Sequence, residues 1–140
     1  MRGLFLAVVI SALASAQAFA DVRIYSSPGG NVETYLTFFS RVRQSGERVV
    51  IDGPCYSACT LVLSTIPRSR VCVTRRAVLG FHAPEVVGDR GRPYHSRRVT
   101  QAMFTSYPPS VRSWIRHHGG LRTGVIYLRG RDLAALYRRC

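Results

Sequence analysis

The chain has 140 residues, and its 20 basic residues, all arginine, outnumber the 7 acidic ones to give a formal net charge of +13. Once an N-terminal targeting segment is set aside, about 120 residues remain, which suffice for one small domain and exclude a multidomain architecture. The arginines are scattered in pairs such as Arg75-Arg76, so no basic block marks a nucleic-acid-binding segment, and the charge instead favours contact with anionic envelope surfaces.

The N-terminal residues have the three parts of a secretory signal peptide. Arg2 supplies the positive region, residues 4–13 are apolar, and Ala18-Phe19-Ala20 forms a small-x-small cleavage site. We therefore expect residues 1–20 to be a signal peptide and residues 21–140 to be a single mature domain. The predicted location is periplasmic or secreted.

All four cysteines lie in the predicted mature domain: Cys55, Cys59, Cys72 and Cys140. An even number in an exported chain indicates two disulfides, or one disulfide and two free thiols. Three complete pairings remain open. With so few cysteines, disulfides would reinforce an ordinary hydrophobic core rather than replace it.

The first part of the mature chain has the pattern of a strand, a turn and a helix. Residues 22–25 alternate apolar and polar side chains and predict a strand, which ends at the turn Ser26-Ser27-Pro28-Gly29-Gly30. Asn31 is a suitable N-cap, and apolar residues then recur at helical spacing up to Gly46. This segment is half of a βαβ unit.

A second strand is predicted at residues 48–52, followed by a turn at residues 53–60. The next helix is expected from Ser57 to about Ile66, because Pro67 ends it. Later elements follow in chain order: strands at residues 70–73 and 77–81, a flexible surface loop at 85–94, helices at 96–106 and 110–118, a strand at 125–128 and helical turns at 132–138. Strands alternating with helices predict an α/β fold.

Chemistry-bearing residues follow three of these strands. Ser57 stands at a strand-to-helix junction, where a hydroxyl is exposed beside backbone N–H groups, and Ala58 follows it. His82 ends the strand at residues 77–81, and Gly30 ends the turn after the first strand. We expect these strand ends to meet at one edge of the sheet, as ligand sites of α/β folds do.

Three segments in this order carry a family resemblance: Ser27-Pro28-Gly29-Gly30, then Gly53 with Ser57-Ala58, then Gly80-Phe81-His82-Ala83-Pro84. They resemble the proteolytic subunit of Clp protease (ClpP) and the ClpP/crotonase-like superfamily, most closely its exported bacterial members. The resemblance implies a small or truncated spiral of ββα units. It also implies that Ser57 is the nucleophile, His82 the base, and the N–H groups of Gly30 and Ala58 the oxyanion hole.

The acid that would orient His82 is less clear from the sequence. Asp132 lies close to the interval that the resemblance implies and is our candidate, although the local pattern places Val125 at the corresponding position. Asp52 and Asp89 are alternatives, and a Ser/His dyad without an acid is another.

The sequence therefore predicts an exported serine hydrolase, a peptidase acting by acyl transfer on a peptide or protein substrate. The alternative is a catalytically degenerate relative in the envelope that binds peptides or anionic polymers. We expect a homo-oligomer, no specific nucleic acid partner and no cofactor. The histidines lack the spacing of metal ligands, so we expect no metal.

Overall fold

The computed structural model of the protein describes residues 20–140. The predicted signal peptide, residues 1–20, therefore lies outside the described residues except for its last residue, Ala20. Within the described range, no helix is long and apolar enough to span a membrane. This range contains eight short strands and five α-helices, so the predicted α/β class is confirmed.

The strands are β1 (Val22–Ile24), β2 (Val49–Ile51), β3 (Pro54–Tyr56), β4 (Val71–Val73), β5 (Val78–Phe81), β6 (Glu85–Val87), β7 (Pro93–His95) and β8 (Ile126–Arg129). The helices are α1 (Val32–Ser45), α2 (Val62–Thr65), α3 (Arg97–Ser106), α4 (Pro109–His117) and α5 (Gly130–Leu136). A 3₁₀ helix, Ser57–Leu61, leads directly into α2, and a second one, Arg68–Arg70, precedes β4.

Six of the strands form two three-stranded sheets. The first sheet has the order β1-β2-β4, and all its strands are parallel. The second has the order β3-β5-β8, in which β3 and β5 are parallel and β8 is antiparallel to β5. Because β3 and β5 are parallel neighbours, the residues that follow them lie at the same edge of the second sheet.

The chain steps from the first sheet to the second three times. It passes from β1 to a bridge between Ser27 and Cys55, from β2 to β3, and from β4 to β5. At Gly53 the step is so tight that a Cβ atom would overlap the carbonyl oxygen of Tyr25. The sequence predicted a turn from Gly53 up to the helix that starts at Ser57. That prediction missed β3, because a three-residue strand beginning with proline has no alternating pattern.

Helix α1 begins and ends as predicted. The Asn31 side chain caps it by accepting a 2.9 Å hydrogen bond from the N–H of Thr34, and Gly46 ends it with a φ of 82°. Phe39 and Val42 are its buried residues. They join one hydrophobic core, whose largest fully buried side chains include Phe39, Ile51, Leu79, Phe81, Ile115, Leu128 and Leu133.

The segment that the sequence predicted as a flexible surface loop, residues 85–94, is instead mostly a β-hairpin. Strands β6 and β7 pair antiparallel, with Val86 opposite Tyr94. Its turn is closed by a 3.0 Å hydrogen bond from the N–H of Gly88 to the carbonyl of Arg92, and Gly91 adopts a positive φ of 70° there. The glycines that suggested flexibility thus form a defined turn.

Helices α3 and α4 follow the hairpin and confirm the predicted break at the paired prolines. Ser96 caps α3 by accepting a hydrogen bond from the N–H of Val99, and Pro109 is the first residue of α4. Val111 and Ile115 anchor α4 in the core.

Two disulfides join the four cysteines. Cys55 pairs with Cys59 across Ser57, whereas Cys72 of β4 pairs with Cys140. The C-terminal residues run beside β4, where the N–H of Cys140 donates to the carbonyl of Val73 at 3.2 Å. Two disulfides indicate an oxidising, non-cytoplasmic compartment.

Candidate active site

Ser57 has an unusual backbone conformation. It directly follows β3 and starts the 3₁₀ helix with a φ of 54°, the only positive φ among the described residues other than glycine. Such a conformation costs roughly 1–2 kcal/mol for a residue with a side chain and persists where the surroundings impose it. Here the Cys55–Cys59 disulfide encloses the turn covalently. Strained residues of this kind concentrate at functional sites.

The glycine turn after β1 packs directly on Ser57. A Cβ atom on Gly29, which has a φ of +86°, would lie 2.5 Å from the carbonyl oxygen of Tyr56 and 2.6 Å from the Cβ of Ser57. Hydrogen bonds of 2.8 and 2.9 Å join Ser27 to Pro54 and Tyr56 on the same strand. Only glycine fits at position 29, and the turn is therefore fixed against β3.

Gly30 and Ala58, the residues expected to form the oxyanion hole, lie on these two adjoining turns. Gly30 lines the same cleft as Ser57, whereas Ala58, the next residue after Ser57, is fully buried and is not part of the cleft lining. Within residues 20–140, neither of their N–H groups donates to a backbone acceptor. Both donors are thus free of competing main-chain partners.

His82 directly follows β5, beside the end of β3, and lines the same cleft as Ser57. Its Nδ1 lies 2.8 Å from the carbonyl oxygen of Ala83. A carbonyl oxygen only accepts, so this bond places the ring proton on Nδ1 and leaves the Nε2 lone pair free. No hydrogen bond joins the Ser57 hydroxyl to the imidazole within residues 20–140; the ring's hydrogen bond is the one to Ala83.

No carboxylate among the described residues is hydrogen-bonded to His82. Asp132, the predicted acid, lies on α5 and accepts a 3.3 Å hydrogen bond from the indole N–H of Trp114; it does not line the cleft. Asp89 lies in the turn of the β6–β7 hairpin. The structure therefore brings Ser57, His82 and Gly30 together, but not Asp132.

Asp52, the other alternative acid, is committed elsewhere. Its buried carboxylate accepts two hydrogen bonds from Arg76, at 2.6 and 3.1 Å, and one from Arg23 at 2.8 Å. The Arg76 guanidinium in particular holds the pKa of Asp52 well below its usual range. This carboxylate joins Arg23 of β1 and Arg76 of the β4–β5 turn to the end of β2. Within residues 20–140 it forms no hydrogen bond with His82.

The cleft that contains Ser57 and His82 has a volume of about 790 Å³. Its walls come from the start of α1, the β6–β7 hairpin and α3. Most of its lining is apolar: Val32, Leu36, Pro84, Val86, Val87, Pro93, Val99 and Met103. Glu33 and Glu85 are its charged residues. The cleft therefore places a serine hydroxyl and an imidazole beside a mainly apolar surface, as ligand-binding pockets commonly do.

Two buried residues that the sequence did not single out hold the Ser57 turn. The hydroxyl of Thr60 donates to the Ser57 carbonyl at 2.7 Å, and the hydroxyl of Tyr107 lies 2.6 Å from the same Thr60 oxygen. Burial raises the pKa of Tyr107 well above its usual range, so its hydroxyl stays protonated. Tyr107 lies 47 positions after Thr60, so no local pattern indicated this contact.

No group of three or more metal-ligating side chains occurs among residues 20–140. Comparison with family models, with curated proteins and with solved structures returned no match. The function of the site is therefore inferred from its geometry and from the resemblance of its three motifs.

Proposed function

We propose that the protein is an exported serine hydrolase, a peptidase, in which Ser57 is the nucleophile and His82 the general base. One observation carries this proposal: Ser57, held at a positive φ, shares a cleft with a histidine whose Nδ1 is already engaged and whose Nε2 is free. A serine hydrolase needs this combination of an exposed hydroxyl and a correctly protonated base.

In the proposed reaction, Ser57 Oγ attacks the substrate carbonyl while His82 Nε2 takes the hydroxyl proton. The N–H groups of Gly30 and Ala58 stabilise the oxyanion. The tetrahedral intermediate expels the amine, which receives the proton from His82, and an acyl-enzyme ester remains on Ser57. Water then attacks the ester with His82 again as base, which releases the acid product and restores the serine.

In this proposal the Ala83 carbonyl takes the orienting role that a carboxylate has in a triad. It accepts a hydrogen bond from the Nδ1–H of His82 and so favours the tautomer in which Nε2 carries the lone pair. A neutral carbonyl stabilises the imidazolium less than a carboxylate does. We therefore propose a Ser/His dyad of modest activity and assign no catalytic role to Asp132.

The architecture is compatible with a ClpP/crotonase-like fold. The passages from β2 to β3 and from β4 to β5 each place one strand in each sheet, and β1 leads to an isolated bridge at Ser27. This arrangement supports the proposed small spiral of ββα units. Location in the periplasm or outside the cell agrees with the two disulfides. Self-association is also part of the proposal, because no strand within residues 20–140 pairs with the outer edge of β1, and Tyr25 is exposed nearby.

Labelling with a fluorophosphonate probe tests the function. We expect the wild-type protein and Ser64→Ala to be labelled, Ser57→Ala not to be labelled, and His82→Ala to react at least about a hundredfold more slowly. Ser64 is the matched control because it lies in the following helix and does not line the cleft. A folded wild-type protein that resists the probe would overturn the proposal.

The second candidate function is a non-catalytic envelope protein that binds peptides or anionic polymers. The absence of a Ser57–His82 hydrogen bond in residues 20–140 and of a carboxylate on His82 favours it. In that case binding survives Ser57→Ala. For an anionic polymer it also weakens steeply with salt, because arginines on the surface provide the attraction.

A further inference from the structure

The charged residues that line the cleft have the opposite sign to the net charge of the chain, and Arg41 lies in the neighbouring pocket that Glu33 also lines. The sequence has 20 arginines and 7 acidic residues, yet no arginine lines the cleft, whereas Glu33 and Glu85 do. A random sample of charged residues from this chain would be dominated by arginine. The cleft is therefore a locally acidic surface on a strongly basic protein.

Glu33 and Glu85 are also without ionic partners. Within residues 20–140, Asp21 pairs with Arg48 and Asp52 pairs with Arg23 and Arg76, but neither cleft glutamate forms an ion pair or a side-chain hydrogen bond. Both are exposed. Their carboxylates are consequently available to a ligand in the cleft.

The two glutamates come from different walls of the cleft. Glu33 lies in the first turn of α1, and Glu85 begins β6, three residues after His82. A glutamate in the first turn stabilises a helix, which accounts for Glu33 alone. That explanation does not extend to Glu85, which lies in a strand of the hairpin.

Exposed apolar side chains line the same cleft as both glutamates. Val32, Leu36 and Val99 are each between 37% and 40% exposed, and Val87 is 70% exposed. All four line the cleft. An apolar side chain of a ligand could pack against these residues while a cationic side chain of the same ligand binds the glutamates.

We infer that the cleft selects peptides that carry an arginine or lysine next to an apolar side chain, with Glu33 and Glu85 as the specificity-determining residues. The inference rests on the proposed function, because it names the substrate class of the same site. The net positive charge does not prevent such binding at physiological salt, since charges more than about 8–10 Å away are largely screened while contact pairs persist.

Peptide binding to Ser57→Ala, which cannot consume its ligand, tests this inference. The probes are two fluorescent peptides, acetyl-Ala-Arg-Leu-Ala and the same peptide with neutral citrulline in place of arginine, measured by fluorescence anisotropy at about 150 mM salt. We expect the arginine peptide to bind about fivefold more tightly than the citrulline peptide. This is about the gain in affinity expected from two exposed ion pairs. The triple variant Ser57→Ala/Glu33→Gln/Glu85→Gln should bind both peptides equally.

Ser57→Ala/Asp89→Asn is the matched control, because Asp89 lies in the same hairpin but does not line the cleft. It should keep the fivefold preference. Variants that combine Ser57→Ala with only one of the two glutamate substitutions should each lose part of this preference. They provide the test if the triple variant does not fold. Equal affinities in Ser57→Ala, no binding of either peptide, or a preference that persists without both glutamates overturns the inference. Labelling of Ser57 in the wild type would still support the hydrolase function in each of these cases.

Discussion

The hydroxyl of Thr60 donates a 2.7 Å hydrogen bond to the main-chain carbonyl of Ser57. Because the Thr60 proton is used in this bond, the hydroxyl of Tyr107 is the donor in its 2.6 Å contact with Thr60. Both side chains are buried, and Tyr107 lies between α3 and α4. The conformation of the proposed nucleophile is thus tied to the junction between α3 and α4.

Thr60→Val should destabilise the protein and slow the labelling of Ser57. Valine has nearly the same shape, but it removes the bond to the Ser57 carbonyl and strands the buried Tyr107 hydroxyl, at a cost of about 1–3 kcal/mol. Urea denaturation measures the stability, and the fluorophosphonate reaction measures the reactivity. Ser64→Ala, which removes an exposed hydroxyl bonded to Ser106, is the control and should cost less than about 0.5 kcal/mol. Equal effects of the two substitutions would contradict the role of Thr60.

Gly29→Ala should be far more damaging than Gly91→Ala. Both glycines have a positive φ, of +86° and +70°, so alanine is strained at each by roughly 1–2 kcal/mol. At Gly91 nothing lies within 4 Å of the added Cβ, whereas at Gly29 the Cβ would collide with Tyr56 and Ser57. We expect Gly91→Ala to fold with a modest loss of thermal stability, and Gly29→Ala to lose several times more, or to fail to fold. Similar melting temperatures would show that the two turns are not packed as described.

The two disulfides should make unequal contributions to stability. Cys72 and Cys140 are separated by 68 positions, and Cys55 and Cys59 by 4. Loop-closure entropy then gives about 4 kcal/mol for the first bond and about 2 kcal/mol for the second. Replacing each pair by alanine and measuring denaturation tests this order. Loss of the Cys55–Cys59 bond should in addition slow the labelling of Ser57, because that bond encloses the turn that holds the proposed nucleophile; labelling unchanged after its removal would contradict this.

Acid should destabilise the protein partly through Asp52. Its carboxyl has a lower pKa in the folded chain than the ordinary value of about 4 in the unfolded chain, because of Arg76 above all. The stability it contributes is therefore fully present above about pH 4 and is lost as the pH falls below that value. Asp52→Asn and Arg76→Gln should each flatten the dependence of unfolding free energy on pH below 4.

Arg75→Gln is the control for this measurement, because Arg75 precedes Arg76 but forms no ion pair within residues 20–140. It should leave the acid dependence as steep as in the wild type. A wild-type profile that is already flat below pH 4 would rule out a major role for Asp52.

The sequence predicted correctly the helix ends that depend on interactions between neighbouring residues. Asn31 and Gly46 delimit α1 because a cap and a left-handed residue act within one helical turn. The prolines at 108 and 109 separate α3 from α4 for a similarly local reason. The sequence also predicted that Ser57 and His82 lie at one sheet edge. They do so because each directly follows one of the parallel strands β3 and β5.

What the sequence did not show depends on pairing between distant residues. Strand β3 is only three residues long and is defined by its partners Ser27 and β5. The hairpin at residues 85–95 is held by cross-strand pairs. The glycines and proline in this segment indicated a loop instead, so the sequence did not show these pairs. The Ala83 carbonyl as the partner of His82 was missed because a search for an acid considers side chains only.

The spacing of the cysteines also bears on the order in which the oxidised protein forms. In an unfolded chain, Cys55 and Cys59 meet far more often than Cys72 and Cys140, because closing a short loop costs less entropy. The bond around Ser57 is therefore expected to form first during oxidation. After this bond has formed, Cys72 and Cys140 are the only two thiols left in the chain. Oxidation of these two thiols within the chain then gives only the native pairing.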